Sequence, residues 1–358
     1  MSVSRPYLQD SVAPASVDVD LDRDDLRIIR SLQLAPRASF ARLGATLGLP
    51  ERTVARRYRT LHGAGVIRVV GLTNPVALGQ QVWMVRVHCR PDGTEALASA
   101  LAQRDDISWV ALAAAGSEIH FSMRALSEEQ RDLLLTRRLP RASPVLNIEA
   151  AVVLHHFLGF RPDDWDVLAE VLTAAETRAV RAESVTTGAT TEAAAGALRL
   201  EPHDEAIIAA LGRDGRAGYA ELAAAAGISE GRVTRRLAAL LESGTVVLDL
   251  DVASAALGYR AAAYLYLRVT PARLQEVGEA LAAQPEVPYV AATTGPYNLL
   301  ASVKCRDLAD LYALSTTRVG NLDGVHTMEL SPVLRTVKQA GTLTDRDRLA
   351  GRPVRTPA

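Results

Sequence analysis

The chain is poor in the residues that carry redox and metal chemistry. Cys89 and Cys305 are its only cysteines in 358 residues, and neither lies near a second thiol or a histidine cluster. That spacing excludes a disulfide framework and a thiolate metal site, leaving two small apolar residues for a core. Lysine is nearly missing: the 40 basic residues are 38 Arg and 2 Lys, a bias that suits a G+C-rich bacterial coding sequence better than a functional demand for guanidinium groups. Excess charge is absent too. A formal net charge of −1 argues against a chain that coats nucleic acid indiscriminately, while leaving room for local basic faces. No stretch approaches the roughly 20 apolar residues of a membrane span. The first twenty residues have no apolar core behind a basic segment, so they do not read as a secretory leader, and a cytoplasmic location is expected. No nucleophile elbow, carboxylate pair or Gly-rich phosphate loop stands out, so no catalytic residue, cofactor or metal is expected. His155 and His156 adjoin on a predicted strand and point to opposite faces, which rules out a shared metal.

What the chain does have is an internal repeat. Residues 21–79 align without a gap on residues 200–258 at an offset of 179, with 20 of 59 positions identical. The matches include Asp25/Asp204, Ile28/Ile207, Arg37/Arg216, Leu43/Leu222, Gly48/Gly227, Val54/Val233, Arg56/Arg235, Arg57/Arg236 and Gly65/Gly244. Each copy reads as three helices and a strand. An apolar face at Ile28, Ile29 and Leu32 makes the first helix, and Leu43 anchors the second. Gly48 supplies a turn that needs positive φ, and Pro50 opens a third helix that Gly65 ends. The second copy repeats this layout, with Ser229 as N-cap. Such a unit has the layout of a helix-turn-helix followed by a wing strand.

The stretches after each copy also resemble one another. Strands at 81–90 and 260–269, helices at 93–103 and 272–283, paired strands around Gly116 and Gly295, a further helix and a last strand at 145–154 or 325–334 give the order βαββαβ, that of a ferredoxin-like fold. The predicted fold class is therefore α+β, two winged helix-turn-helix domains alternating with two ferredoxin-like domains. The boundaries are a disordered tail 1–20, head 21–72, sheet domain 79–157, linker 158–199, head 200–252, sheet domain 259–338 and tail 339–358. Within the linker, residues 165–176 suggest a helix packed on the first sheet, and the small polar run 185–196 a mobile tether.

The segment LDRDDLRIIRSLQLAPRASFARLGATLGLPERTVARRYRTLHGAGVI (21–67) resembles the DNA-binding head of the leucine-responsive and asparagine regulator (Lrp/AsnC) family, and 200–246 is similar. TTGPYNLLASV (293–303) resembles that family's Gly-x-Tyr-Asp turn and following strand. A usual member has one head and one sheet, so the chain looks like two members fused. The resemblance implies a transcriptional regulator whose partners are double-stranded DNA and a small effector, an amino acid or related metabolite, and which forms homo-oligomers through its sheets. Similar duplicated chains act as sirohaem decarboxylases, which supplies the alternative, an enzyme on the same architecture.

A helix entering the major groove must offer long side chains to base edges and phosphates. The third helices offer Arg52, Thr53, Arg56, Arg57 and Arg59 in the first head and Arg232, Thr234, Arg235 and Arg236 in the second. Differences at Arg52/Gly231, Thr53/Arg232 and Ala55/Thr234 predict that the two heads prefer different half-sites, in one asymmetric operator. The effector candidates are Thr294, Gly295, Tyr297 and Asn298, with Gly116 in the first half. Asn298 stands where the family has an acid, and an amide cannot pair with an ammonium as a carboxylate does. Whether the two sheet domains pair within one chain or between chains is left open by the linker.

Overall fold

The computed structural model describes residues 19–124, 127–159, 164–183 and 198–351. The expected tether at 185–196 and most of the N-terminal tail lie outside them.

The first head comprises α1 (Arg23–Leu34), α2 (Phe40–Leu47), α3 (Glu51–Gly63) and strand β1 (Ile67–Thr73). Helix α1 begins at a reciprocal capping box, Asp22 accepting from the Asp25 amide and Asp25 from the Asp22 amide, which satisfies two of the donors a helix start leaves free. Gly48 ends α2 at φ 69°. Ile28, Ile29, Leu32, Leu43, Val54 and Leu61 close the core. At Gly44 a Cβ would lie 2.5 Å from the Leu49 carbonyl oxygen, so the tight approach of the α2–α3 turn depends on glycine there.

The first sheet domain follows as β2 (Val82–Cys89), α4 (Thr94–Ala102), β3 (Ile107–Ala113), β4 (Glu118–Arg124), α5 (Glu128–Asp132) and β5 (Val145–Leu158). After α6 (Ala174–Arg181), the second head is built from α7 (Asp204–Arg213), α8 (Tyr219–Ala226), α9 (Glu230–Glu242) and β6 (Val246–Val252). The second sheet domain is β7 (Ala261–Val269), α10 (Leu274–Ala282), β8 (Tyr289–Thr293), β9 (Leu299–Cys305), α11 (Leu308–Ala313) and β10 (Val325–Gln339), with a closing hairpin of β11 (Thr342–Asp345) and β12 (Arg348–Ala350). The α+β alternation of heads and βαββαβ units is thus present. Both cysteines are buried and free.

The halves join in two places. The wing strands pair antiparallel, from Ile67 opposite Val252 to Thr73 opposite Val246. The last strand of each sheet domain runs past its own sheet. Strand β5 pairs with β2 as far as Trp83 opposite Val152, then with β8 from Val153 opposite Thr293. Strand β10 pairs with β7 as far as Pro332 opposite Ala263, then with β3 from Val333 opposite Ala113. Pro332, with no amide hydrogen, sits where β10 changes partners and a ladder bond is dispensable. The strands therefore close a ring, β10-β3-β4-β2-β5-β8-β9-β7 and back to β10. The two sheet domains pair within one chain.

Three expectations change. The last strands extend to Leu158 and Gln339 rather than ending at 154 and 334, because the extra residues pair with the opposite half. The stretch after residue 164 packs on the first head, not the first sheet: Leu168, Leu172 and Val180 enter that head's core, and Glu176 holds Arg27 at 2.5 Å. The start of the supposed C-terminal tail is ordered, with Leu349 4% exposed and its amide bonded to the Gly65 carbonyl at 2.8 Å.

Candidate nucleic-acid interface and ligand sites

The retained pair Arg37/Arg216 locks the heads together. Arg37 donates to the carbonyls of Gly215 (2.7 Å) and Ala217 (2.9 Å), and Arg216 donates to those of Pro36 (2.5 Å) and Ala38 (3.0 Å). Each arginine thus caps the other head's α-helix loop. Arg216 also lies over the rings of Phe40 (4.6 Å) and Tyr58 (5.4 Å). Gly71 and Gly215 permit the close approach: a Cβ on either would sit 2.6 Å from Leu211 or Val69, respectively.

On α3, Arg52, Arg56 and Arg59 are exposed, as are Arg232, Thr234 and Arg235 on α9, with Thr53 half-buried. Arg52, Arg56 and Arg235 make no ion pair among the described residues; Arg232 meets Glu201 at 3.2 Å. Thr234 donates its hydroxyl to the Glu230 carbonyl of its own helix. The placement of Arg57 and Arg236 corrects the grouping with the outward arginines. Arg57 turns to Asp22 and Asp25 of the α1 start, both at 2.8 Å. Arg236 grips Asp204 with two hydrogen bonds, at 2.8 and 2.5 Å. Asp204 is fully buried; burial pushes its carboxyl up, but Arg236 and the Glu201 amide outweigh this and hold it below the ordinary value. These two arginines brace the recognition helix against the first helix of each head.

The residues of the Gly295 turn do not converge on one open site. Gly295 sits at φ 100° with open space around it. Thr294 is spent at the crossover, its hydroxyl accepting from the Val152 amide and its own amide donating to the Val152 carbonyl, both at 2.9 Å. Asn298 clamps the end of β7, its Oδ1 accepting from the Val269 amide and its Nδ2 donating to the Val269 carbonyl, both at 2.8 Å. A carboxylate there could not donate the second bond, so the amide has a structural cause. Tyr297 donates to Glu329 at 2.6 Å. Gly116, at φ 85°, follows two left-handed alanines, Ala114 and Ala115.

Between the two faces of the ring lies a network that sequence reasoning missed. Glu118 accepts from Arg86 (3.0 and 2.6 Å), from the Ser331 hydroxyl (2.7 Å) and from His120 Nε2 (2.8 Å), and Tyr266 donates to His120 Nδ1 (2.8 Å). Arg86 also reaches Glu329 at 2.5 Å. Burial opposes ionisation of Glu118, yet its donors hold it far below the usual carboxylate range. Burial outweighs the pull of Glu118 and lowers the His120 imidazole below its ordinary value. The one signal was Glu118 itself, the acid one place early in the first turn.

Beyond this network, between the wing strands and the mouth of the ring, is a cavity of about 250 Å³. Asp251 of β6 reaches it with its carboxyl pushed by burial up to about 8, and Lys304 of β9 with its ammonium lowered by burial to about 8. Among the described residues no group of three His, Cys, Asp or Glu is placed to hold a metal, and no helix is long and apolar enough to cross a membrane.

Paired winged heads on paired βαββαβ sheets define a duplicated head-and-sheet architecture. The AsnC-type helix-turn-helix domain matches residues 21–62 and 202–241, and the Lrp/AsnC ligand binding domain matches residues 262–343. The HTH-type transcriptional regulator FL11 of Pyrococcus horikoshii is 30% identical over 149 residues, covering 40% of this chain and 95% of that protein. An uncharacterised HTH-type transcriptional regulator of Pyrococcus abyssi is 29% identical over 145 residues, covering 40% and 91%. The chain belongs to the Lrp/AsnC family of transcriptional regulators, in a form with two family units on one polypeptide. It also shares its fold with the siroheme decarboxylase NirDL: TM-score 0.58, 16% identity, 88% of this chain and 93% of that one.

Proposed function

We propose that the protein is a sequence-specific DNA-binding transcriptional regulator that reads an asymmetric operator with two unlike heads and responds to a small metabolite. The observation that carries this reading is the pair of outward basic faces, Arg52, Arg56 and Arg59 on one recognition helix and Arg232 and Arg235 on the other, on heads that the Arg37/Arg216 clasp fixes in one orientation. Fixed heads lose little freedom on binding, and unlike side chains at Arg52/Gly231 and Thr53/Arg232 meet unlike base edges. Arg57 and Arg236 serve the interface indirectly, by setting the angle of each recognition helix. Effector contact at the second turn falls to Gly295 and Tyr297, and at the first to Gly116. Homo-oligomers form through the outer faces of the crossover strands, where Leu146, Leu154 and Leu334 are each about two-thirds exposed.

Selection of bound fragments from a random duplex pool, followed by footprinting, tests the reading. The expected result is one site with two dissimilar half-sites; failure to retain any duplex at low salt overturns it, and an inverted repeat contacted equally by both heads overturns its asymmetry. The shared fold with NirDL favours a second reading, a decarboxylase of sirohaem type. Against it, His120 is already engaged on both ring nitrogens, and the cavity of about 250 Å³ is well short of what a macrocycle needs, being smaller than the roughly 300–1,000 Å³ that drug-sized ligands occupy. A Soret shift on adding sirohaem, without DNA retention, reverses the ranking.

A further inference from the structure

The cavity at the head–ring junction is walled by both layers. The heads contribute Leu72, Leu250 and Asp251 from the paired wing strands, and the ring contributes Trp109, Tyr289 and Lys304, with Trp165 from the segment after β5. Two donors on its ring wall make no hydrogen bond. The Tyr289 hydroxyl is buried without a hydrogen bond. The Lys304 ammonium makes no hydrogen bond or ion pair among the described residues; it lies 5.0 Å from the Trp165 ring and feels the charges of Asp251 and Asp347 only through space. Tyr289 pairs with Ser302 across β8 and β9, so Lys304, two residues on, is its diagonal neighbour on the same face, and both donors address the same space.

In the sheets the repeat offset is 180, so Ser122 matches Ser302 and Arg124 matches Lys304. Arg124 is committed, donating to the carbonyl (2.5 Å) and hydroxyl (2.9 Å) of Thr73. Its counterpart is a lysine, which lines the cavity. A half-buried ammonium without an acceptor is costly, and an anion is what relieves it. Carboxylates share the cavity without pairing with Lys304: Asp164 and Asp249 line it, and Asp251, whose carboxyl burial pushes up to about 8, spends Oδ1 on Gln339, 3.0 Å away.

We propose that this cavity is a ligand site for a small carboxylate with an aromatic body, the carboxylate taken by Lys304 with Tyr289 as second donor and the ring lying among Trp109, Trp165 and Tyr264. The site is separate from the Gly295 turn. It deepens the regulator reading and rests on it for its purpose: a ligand here touches wing strands and ring at once, so its occupancy is linked to the position of the heads.

The test is calorimetric titration of the intact protein, without DNA, with three probes of one size: phenylacetate, 2-phenylethanol and 2-phenylethylamine. Phenylacetate is expected to bind at least tenfold more tightly than the amine, with the alcohol between them. Lys304→Met is expected to lower phenylacetate affinity about tenfold or more, the loss of one charge-assisted bond, and to leave the alcohol unchanged. Tyr289→Phe, checked for fold by circular dichroism, lowers phenylacetate affinity several-fold and stands if the lysine variant does not fold. No binding by any probe, equal affinity for acid and amine, or undiminished acid binding by both variants overturns the proposal. DNA anisotropy on the same samples separates the failures: duplex binding with no acid binding defeats the pocket alone, and acid binding with no duplex binding defeats the regulator reading alone.

Discussion

Replacing Arg216 by alanine removes the most committed side chain of the head–head contact. The variant loses charge-assisted bonds to the carbonyls of Pro36 and Ala38, at 2.5 and 3.0 Å, and the contacts over Phe40 and Tyr58. A hydrogen bond to a charged group is worth about 1.5–3 kcal/mol and a cation–π contact about 0.5–2 kcal/mol. These terms share one guanidinium and do not add, so a loss of about 3–4 kcal/mol from the heads' unfolding transition is the expected size. Arg37→Ala removes two similar bonds but only one ring contact, to Tyr219 at 5.6 Å, and should cost about 2–3 kcal/mol on the same scale. The assay is urea unfolding of both single variants and the double variant, followed by far-ultraviolet dichroism. Single losses below about 1 kcal/mol, the value of an ordinary surface contact, would refute the clasp, as would Arg37→Ala costing more than Arg216→Ala. A second readout follows from the geometry: with the clasp open, duplex affinity falls although no DNA-facing residue has changed.

Three further predictions separate roles that look alike in the sequence. Arg56→Ala and Arg235→Ala should each reduce the slope of log affinity against log salt by about 1 with little effect on stability, whereas Arg57→Ala and Arg236→Ala should lower stability by about 2–4 kcal/mol, since each strands buried or capping carboxylates; melting curves beside binding isotherms at several salt concentrations decide it. Asp251, whose folded-state value is raised to about 8, binds a proton when folded that it loses when unfolded above about pH 4, so its contribution declines as pH rises from about 4 to 8. Asp251→Asn should flatten that decline and raise stability at pH 8 by a few kcal/mol on the scale of about 1.4 kcal/mol per unit, and a steeper fall would sink the argument. Residues 1–183 alone expose β1 and the distal part of β5, whose partners β6 and β8 lie in the other half, so light scattering should find this piece dimeric, while a monomer at micromolar concentration would count against the ring closure.

The heads and the βαββαβ order can be read from residue patterns because both are local: helix periodicity, Gly48 and Gly227 at left-handed turns, and alternating strands. What depends on distant partners could not be read. The apolar alternation of β5 is the same whichever strand lies beside it, so nothing in residues 155–158 announces a change of partner. The C-terminal hairpin turns at Arg346 and Asp347, both left-handed at φ 44° and 65°, without the glycine that marks such turns. Arg57 and Arg236 looked like surface arginines in an Arg-rich chain. The clue was the joint retention of Asp25/Asp204 with Arg57/Arg236 in the repeat, four matched residues that turn out to be two ion pairs.

Duplication on one chain permits contacts that two identical subunits cannot make. Arg86 and Tyr266 are matched positions on β2 and β7, offset by 180, and across the pseudo-twofold axis they meet: the Arg86 guanidinium lies 5.0 Å from the Tyr266 ring. In a symmetric dimer such a position faces its own copy, and two arginines there would repel across a dry interface. The same holds for Glu118 and its match Asn298. One carries the buried charge that pairs with Arg86 and accepts from His120; the other uses its amide to clamp Val269, a bond pattern a carboxylate cannot complete. One half has therefore specialised in the buried charge network and the other in the aromatic and amide groups that complete it. Neither half could fill both roles at a shared position, so fusion fixes the pairing of unlike halves and, with it, the order in which the two unlike recognition helices are presented.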